Sequence, residues 1–239
     1  MLKHATKLAL ILGPLTLFGA NQQLPQFIDF GSQEFATNFY DRQYFPEFVT
    51  SCPFNCASEM STFFTYIEEE YNIRTVIETG TFKANTTVFF ASTFDTVHTV
   101  EVNPEFYAES KQTLQQFPNV QCHLGSSPII LRKILPSLAN ERVLFYLDAH
   151  WYTDWPLLDE LREIRRTHKN NCIIVIDDFK VPGRNDIPYD THMGNDYSFE
   201  YVQKHLHRIF NEYTVHYLIP KDVNARAKFV AIPKSWASR

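Results

Sequence analysis

The chain has 239 residues, of which 44% are hydrophobic and 21% are charged, a balance typical of a globular protein with one sizeable core. Its mean hydropathy of -0.26 excludes a polytopic membrane protein. The formal net charge of -5 provides no basic field that would hold a phosphate backbone, so we expect no nucleic-acid partner.

The first 20 residues differ in composition from the rest of the chain. Lys3 and Lys7 precede an apolar run from Leu8 to Ala20, which is typical of the charged and apolar regions of a secretory leader. The run is short for a membrane span and is interrupted by Pro14. We interpret residues 1–20 as a leader, with an uncleaved, membrane-associating segment as the alternative. Membrane contact is expected through this segment only.

Residues 21–71 are predicted to form an extension that covers the main domain. Up to about Thr50 the sequence is polar and aromatic without a clear period, which favours irregular or short helical structure. A helix is predicted from Ser58, because Phe63, Ile67 and Tyr71 follow at helical spacing.

The four cysteines fall into two pairs. Cys52 and Cys56 either close a small loop through a disulfide or remain free thiols. Cys122 and Cys172 lie in separate apolar runs, and we expect them to be core thiols. The spacing offers no ligand cluster of the zinc-finger type.

From residue 72 to residue 239, strand-like and helix-like segments alternate. Strands are predicted at Thr75–Thr81, Val97–Val102, Val120–Leu124, Val143–Asp148 and Cys172–Asp177. Helices are predicted near Thr86–Phe94, Glu105–Gln116, Ile129–Leu138, Pro156–His168 and Ser198–Phe210. Two last strands, Tyr213–Ile219 and Lys228–Ile232, predict an antiparallel hairpin at one sheet edge. The pattern indicates an α/β domain with a Rossmann-like, doubly wound sheet of seven strands.

In such a sheet, ligands bind beyond the carboxyl ends of the strands, where the winding reverses. The first strand ends in Glu78, Thr79, Gly80 and Thr81, and Thr86 is placed to cap the next helix. Gly80 allows the backbone to turn sharply and to approach a ligand. We assign these five residues to a cofactor site, with an ordinary tight turn as the alternative.

The second strand ends in Glu101, Val102 and Asn103. A carboxylate at this position can accept hydrogen bonds from the ribose hydroxyls of a nucleotide-containing cofactor. The alternative is a solvated strand end.

The loop after the first strand discriminates between cofactors. A dinucleotide fingerprint needs three glycines for close approach to a pyrophosphate, whereas this loop has one glycine and carries Phe82 where the second would be. This disfavours a nicotinamide-linked oxidoreductase. S-adenosylmethionine has no pyrophosphate and carries a positive charge, which suits Glu78 beside Gly80.

Here the chain resembles the class I S-adenosylmethionine-dependent methyltransferases, and in particular the small-molecule O-methyltransferases. The segment ETGTFKANTT is similar to the E-x-G-x-x-x-G-x-[ST] form of their first motif, with Ala84 in place of the second glycine. The resemblance extends from about Ile73 to Pro233. It implies a seven-stranded sheet that ends in an antiparallel hairpin, and it implies that Gly125 and Ser126 lie at the edge of the adenine. A plain turn is the alternative for these two residues.

Acidic residues end the fourth and fifth strands. Asp148, Asp177 and Asp178 are expected to converge because their strands are neighbours in a doubly wound sheet. Crowded carboxylates repel one another unless one is protonated or a cation lies between them, and Mg²⁺ prefers oxygen ligands of this kind. The three aspartates also resemble the metal ligands of the metal-dependent O-methyltransferases. The alternative is that Asp177 caps a helix and Asp178 is solvated.

A metal at this position would hold an acceptor hydroxyl and lower its pKa. The resembled family has a lysine base three residues after the fourth-strand aspartate, where this chain has Trp151. His150 is the nearest substitute, so we assign His150 and Asp148 to catalysis, with His192 as a weaker base. The long polar segment 181–197 is interpreted as a mobile lid.

The leading hypothesis is therefore S-adenosylmethionine-dependent methyl transfer to a hydroxyl of a small molecule or sugar, with Mg²⁺ as a second cofactor. The alternative is a non-catalytic, exported binding protein that keeps the fold. The leader motivates this alternative, because an exported enzyme would be separated from a cofactor that is made in the cytosol.

Overall fold

The computed structural model describes residue 24 and residues 26–32, 52–150 and 155–236. The predicted leader, residues 1–20, lies outside the described residues. Among the residues that are described, no helix has the length and apolar character needed to cross a membrane.

A central sheet organises the chain. Its first six strands are β1 (Phe27–Asp29), β2 (Thr75–Thr79), β3 (Thr96–Glu101), β4 (Val120–Leu124), β5 (Val143–Leu147) and β6 (Cys172–Ile176). A separate two-stranded hairpin follows, formed by β7 (Thr191–His192) and β8 (Asn195–Asp196). The last two strands of the central sheet are β9 (Tyr213–Ile219) and β10 (Lys228–Pro233). The strand order is β1-β9-β10-β6-β5-β2-β3-β4. β10 runs antiparallel to both of its neighbours, whereas the other pairs are parallel.

The seven predicted strands are present, and the Rossmann-like fold is confirmed. The count is eight rather than seven because β1, from the N-terminal extension, pairs with β9 and covers the edge that the hairpin would otherwise form. A strand of three residues is too short to show the alternating pattern of a strand in the sequence. Its place in the sheet depends on pairing with β9, where Ile28 lies opposite Leu218, 190 positions further along the chain.

Helices cover both faces of the sheet. They are α1 (Ser61–Tyr71), α2 (Asn85–Thr93), α3 (Pro104–Leu114), α4 (Ser127–Ile134), α5 (Leu157–Thr167) and α6 (Phe199–Ile209). Because side chains alternate along a strand, Phe145 on β5 packs with α4, α5 and α6, whereas Leu144 and Tyr146 pack with α1 and α2 on the other face. Two cores therefore cover the two faces of the sheet, and the parallel strands end on the same edge of it.

The cysteines take three different environments. Cys52 and Cys56 are joined in a disulfide, with their Cα atoms 4.5 Å apart. Cys172 is a buried free thiol, as expected, whereas Cys122 is only partly buried. Cys122 is less buried than expected because β4 is an edge strand, which leaves that side of the sheet open to solvent.

Candidate functional site

A cleft of about 680 Å³ lies over the carboxyl ends of five parallel strands. One lining residue follows or ends each strand in turn: Gly125 on β4, Glu101 on β3, Gly80 on β2, Asp148 on β5 and Asp178 on β6. The chain winds outward in opposite directions from β2 and β5, so the cleft lies at the topological switch point, where ligands bind in folds of this type.

Gly80 forms the middle of the cleft floor. Its φ of +89° favours glycine, and a Cβ atom there would lie 2.5 Å from the carbonyl oxygen of Asp148. A side chain is therefore excluded at this position. The excluding neighbour is the end of β5, however, rather than the ligand.

The loop after Gly80 contains two further residues in the left-handed region. Phe82 has φ +47° and Ala84 has φ +64°, a conformation that costs a residue with a side chain about 1–2 kcal/mol. The glycine of the resembled motif would avoid this cost at position 84. Ala84 is fully buried and does not line the cleft.

Four of the predicted cofactor residues are not among the residues that line the cleft. Glu78 is buried and accepts hydrogen bonds from the hydroxyls of Thr87 (2.5 Å) and Thr99 (2.6 Å). Burial raises the pKa of Glu78 to about 7, while these hydrogen bonds act in the opposite direction. The other three residues are Thr79, Thr81 and Thr86.

These threonines have structural surroundings. The Thr81 hydroxyl lies 2.6 Å from that of Thr99, and Thr86 Oγ1 accepts a hydrogen bond from the backbone N–H of Phe54 at 3.1 Å. Thr79 is fully buried, and its hydroxyl has no hydrogen-bond partner among the described residues. The sequence could not show which side chains of this loop point inward.

Glu101 faces the cleft and is oriented by the backbone. Its Oε2 accepts from the N–H of Phe82 and its Oε1 from the N–H of Asn103, both at 2.8 Å. A carboxylate oxygen has a second lone pair, so each oxygen can still accept a hydroxyl. The side chain of Asn103, also predicted to be a cofactor residue, caps α3 by accepting from two backbone N–H groups, and Asn103 does not line the cleft.

An apolar wall stands beside Glu101. Val102 is 44% exposed and Phe82 is 50% exposed, and the Phe82 ring meets the Phe106 ring edge to face with 4.7 Å between centroids. Gly125 and Ser126 line the cleft as well. Sequence reasoning missed Phe82 and Phe106, although a phenylalanine in a loop at a strand end was a signal.

The other end of the cleft carries a polar cluster of Asp148, His150 and Asp178, whose ligand atoms lie within 4.8 Å of one another. Burial raises the pKa of Asp148 well above its ordinary value, and the neighbouring carboxylates of Asp177 and Asp178 raise it further. Burial, followed by the charge of Asp177, raises the pKa of Asp178 to about 7. Asp178 Oδ1 is buried without a hydrogen-bond partner in the described part of the chain.

Asp177, the third predicted metal ligand, does not join this cluster. It is buried and accepts from Lys228 Nζ (2.5 Å), from the Tyr146 hydroxyl (2.5 Å) and from the backbone N–H of Asp178 (2.7 Å). Lys228 is also fully buried. Asp177 is therefore the anionic half of a buried ion pair that joins β6 to β10.

His150 lies between two carboxylates. Its Nδ1 is 3.8 Å from Asp148 Oδ1, and its Nε2 is 3.8 Å from Asp190 Oδ2. Its ring stacks on Trp155, which in turn stacks on His192. The structure thus brings together the two predicted catalytic residues, and it places His192 on the far side of an indole ring.

The segment 181–197, predicted to be a lid, borders the polar end of the cleft and contains the hairpin β7–β8. Arg226 fastens it by donating from Nη1 to Asp178 (2.6 Å) and to Asp190 (2.5 Å). Arg226 also lines the cleft, and no sequence pattern had indicated it. Movement of this segment stays a prediction.

Comparisons with known proteins identify the fold. No protein-family model matches the chain, and no curated protein sequence matches it. Among solved structures, a putative O-methyltransferase from Klebsiella pneumoniae is similar with 15% identity and a TM-score of 0.54, covering 76% of this chain and 81% of that chain. The O-methyltransferase TomG from Streptomyces achromogenes, solved in complex with SAM, has 15% identity and a TM-score of 0.52, covering 73% and 79%.

A spermidine synthase from Thermotoga maritima is also similar, with 11% identity and a TM-score of 0.51, covering 74% of this chain and 58% of that chain. At these identities the likeness establishes the fold alone. The chain has the class I S-adenosylmethionine-dependent methyltransferase fold, as the resemblance implied. Because enzymes of different reactions share this fold, the function has to be argued from the cleft.

Proposed function

We propose that this protein is a methyltransferase that transfers the methyl group of S-adenosylmethionine to a hydroxyl of a small polar molecule, such as a sugar. One observation carries the proposal. A single cleft joins a backbone-oriented carboxylate, Glu101, to a cluster of proton-accepting groups around Asp148. The Glu101 carboxylate suits the ribose hydroxyls of an adenosine, and the cluster suits an acceptor hydroxyl that must lose its proton.

At the adenosine end, Glu101 would accept hydrogen bonds from the two ribose hydroxyls. Phe82 and Val102 would contact the adenine on one side, and the Gly125–Ser126 backbone would border its edge. When bound, the cofactor would supply a methyl group on a positively charged sulfur. Gly80 keeps the floor between the two ends free of a side chain.

At the acceptor end, His150 would take the hydroxyl proton, and Asp148 would orient the imidazole. The polar side chains of Asn224 and Arg226 also line the cleft. This lining favours a polar acceptor, whereas the aromatic surface of the cleft lies at the adenosine end.

The cluster also fits a divalent cation. Asp148, His150 and Asp178 would hold it, and the supporting observation is the buried Oδ1 of Asp178, which has no hydrogen-bond partner among the residues that the structure describes. Two carboxylates suit Mg²⁺, while the imidazole favours Mn²⁺ or Zn²⁺ over Mg²⁺. When bound, the cation would supply a positive charge that favours ionisation of the acceptor hydroxyl. In that arrangement, His150 would be a ligand rather than the base.

Calorimetric titration tests the two parts separately. We expect S-adenosylmethionine to bind to the metal-free protein, and Mg²⁺ or Mn²⁺ alone to bind to the wild type at least tenfold more tightly than to Asp178→Asn. Absence of metal binding would leave His150 as the base and contradict the metal part. Absence of S-adenosylmethionine binding would instead favour the non-catalytic exported protein that the apolar N-terminal run suggests.

A further inference from the structure

A loop from the N-terminal extension forms part of the cleft wall. Cys52 and Cys56 close this loop through their disulfide, and Asn55, between them, lines the cleft. Phe54 anchors the loop to the core, because its buried ring stacks on the ring of Phe64 with 4.7 Å between centroids. The Phe54 N–H also donates to Thr86 Oγ1 in the first turn of α2. The loop is therefore fixed to α2, the helix that follows Gly80 at the cleft floor.

The backbone of this loop has a conformation that it would not keep by itself. Phe54, Asn55 and Cys56 have φ values of 56°, 56° and 71°, so three consecutive residues with side chains are left-handed. This region is sterically disfavoured for all but glycine, and least so for asparagine. Such a conformation persists only where the surroundings hold it, and it is found most often at binding sites. Here the anchored phenylalanine and the disulfide hold it.

The position of Asn55 relative to the cleft indicates what it could contact. The loop reaches α2 through Thr86 and also contacts the turn Val223–Ala225 near the polar end. Glu101 and Gly125, where the proposed adenosine site lies, follow strands further along the sheet. A cofactor whose ribose lies at Glu101 would extend over Gly80, and its amino-acid end would approach Asn55.

The charges at this end leave a specific role for a neutral side chain. An amino-acid group presents a carboxylate and an ammonium, so the side chain that binds it must supply a hydrogen-bond donor for the first and an acceptor for the second. Arg226 donates from Nη1 to two protein carboxylates already. The Asn55 carboxamide offers both a donor and an acceptor at the cleft wall.

We propose that Asn55 binds the amino-acid end of S-adenosylmethionine, and that the Cys52–Cys56 disulfide keeps it in position to do so. The inference rests on the proposed function. Both cysteines are exposed, so a small dithiol can reach the bridge. Reduction would transfer two electrons and two protons to it, giving two thiols in the protein and a cyclic disulfide in the reductant. The loop would then lose one of its two anchors, and cofactor affinity would fall.

The first experiment compares two ligands by calorimetry with the full chain. S-adenosylmethionine has the amino-acid end, whereas 5′-methylthioadenosine lacks it. Asn55→Gly removes the carboxamide and tolerates the left-handed backbone. We expect it to weaken binding of S-adenosylmethionine about tenfold and to leave binding of 5′-methylthioadenosine unchanged. Asn72→Gly, at an exposed left-handed position that ends α1, is the matched control and should change neither affinity.

Equal weakening for both ligands would mean that the loop only maintains the shape of the cleft, and it would overturn the proposal. So would an unchanged affinity for S-adenosylmethionine. Failure of the oxidised wild type to bind either ligand would overturn the proposed function and this inference with it. That outcome is distinguishable because the wild type, rather than the variant, fails.

The second experiment tests the disulfide. Wild-type protein treated with a dithiol should bind S-adenosylmethionine several-fold more weakly than the oxidised protein, whereas its affinity for 5′-methylthioadenosine should stay constant. The Cys52→Ser/Cys56→Ser double variant should match the reduced wild type and should not respond to the dithiol. Identical affinities for the oxidised and reduced wild type would contradict the role of the bridge.

Discussion

The buried carboxyl of Glu78 predicts that this fold loses stability as the pH rises. The pKa of Glu78 is raised from 4.5 to about 7 by burial in the folded protein. A raised folded-state pKa means that the contribution to stability is fully present below the unfolded value of 4.5 and is lost as the pH rises through 7. Between pH 5 and pH 8 the loss from this one group is about 2 to 3 kcal/mol.

Glu78→Gln provides the comparison, because glutamine keeps the shape and an acceptor oxygen for Thr87 and Thr99 but does not titrate. The free energy of unfolding of the wild type and of the variant should be measured by urea denaturation at both pH values. Their difference should shift in favour of the variant by about 2 to 3 kcal/mol at the higher pH. Groups that do not interact with Glu78 titrate alike in both proteins and cancel in this comparison, whereas Asp148, whose pKa the Glu78 charge helps to raise, contributes a smaller residual. A difference that is the same at pH 5 and pH 8 would refute the reasoning.

Three further predictions concern single residues. Gly80→Ala should destabilise the fold by at least about 2 kcal/mol, since its Cβ meets the Asp148 carbonyl; a thermal melt equal to that of the wild type would contradict this contact. Lys228→Met should cost about 3–5 kcal/mol in urea denaturation by leaving Asp177 buried without its partner, and a cost below about 1 kcal/mol would argue against the pair. Glu101→Ala should lower S-adenosylmethionine affinity about tenfold or more in calorimetry, and an unchanged affinity in a folded variant would remove Glu101 from the site.

The strands and helices of the main domain could be predicted from the sequence because they follow from local pattern. Apolar runs that alternate with helix-like segments predicted all seven strands. The residues at the ends of those strands include Gly80, Glu101 and Asp148, which line the cleft. The strand β1 could not be predicted, because three residues carry no period and their position depends on β9.

The partners of the buried polar side chains could not be predicted from local pattern. Asp177 and Asp178 are adjacent in sequence and equally acidic, yet Asp177 is neutralised by Lys228, 51 positions away, while Asp178 reaches the cleft. Thr86 likewise accepts a hydrogen bond from the backbone N–H of Phe54, 32 positions away. Each outcome depends on a tertiary partner that no local pattern specifies.

The most direct test of the account is a crystal structure of the full chain with S-adenosylhomocysteine, the product that methyl transfer would leave. We expect the ribose hydroxyls within hydrogen-bond distance of the Glu101 carboxylate and the sulfur over Gly80, facing Asp148 and His150. Binding outside this cleft, or in it with the ribose away from Glu101, would contradict the proposed site.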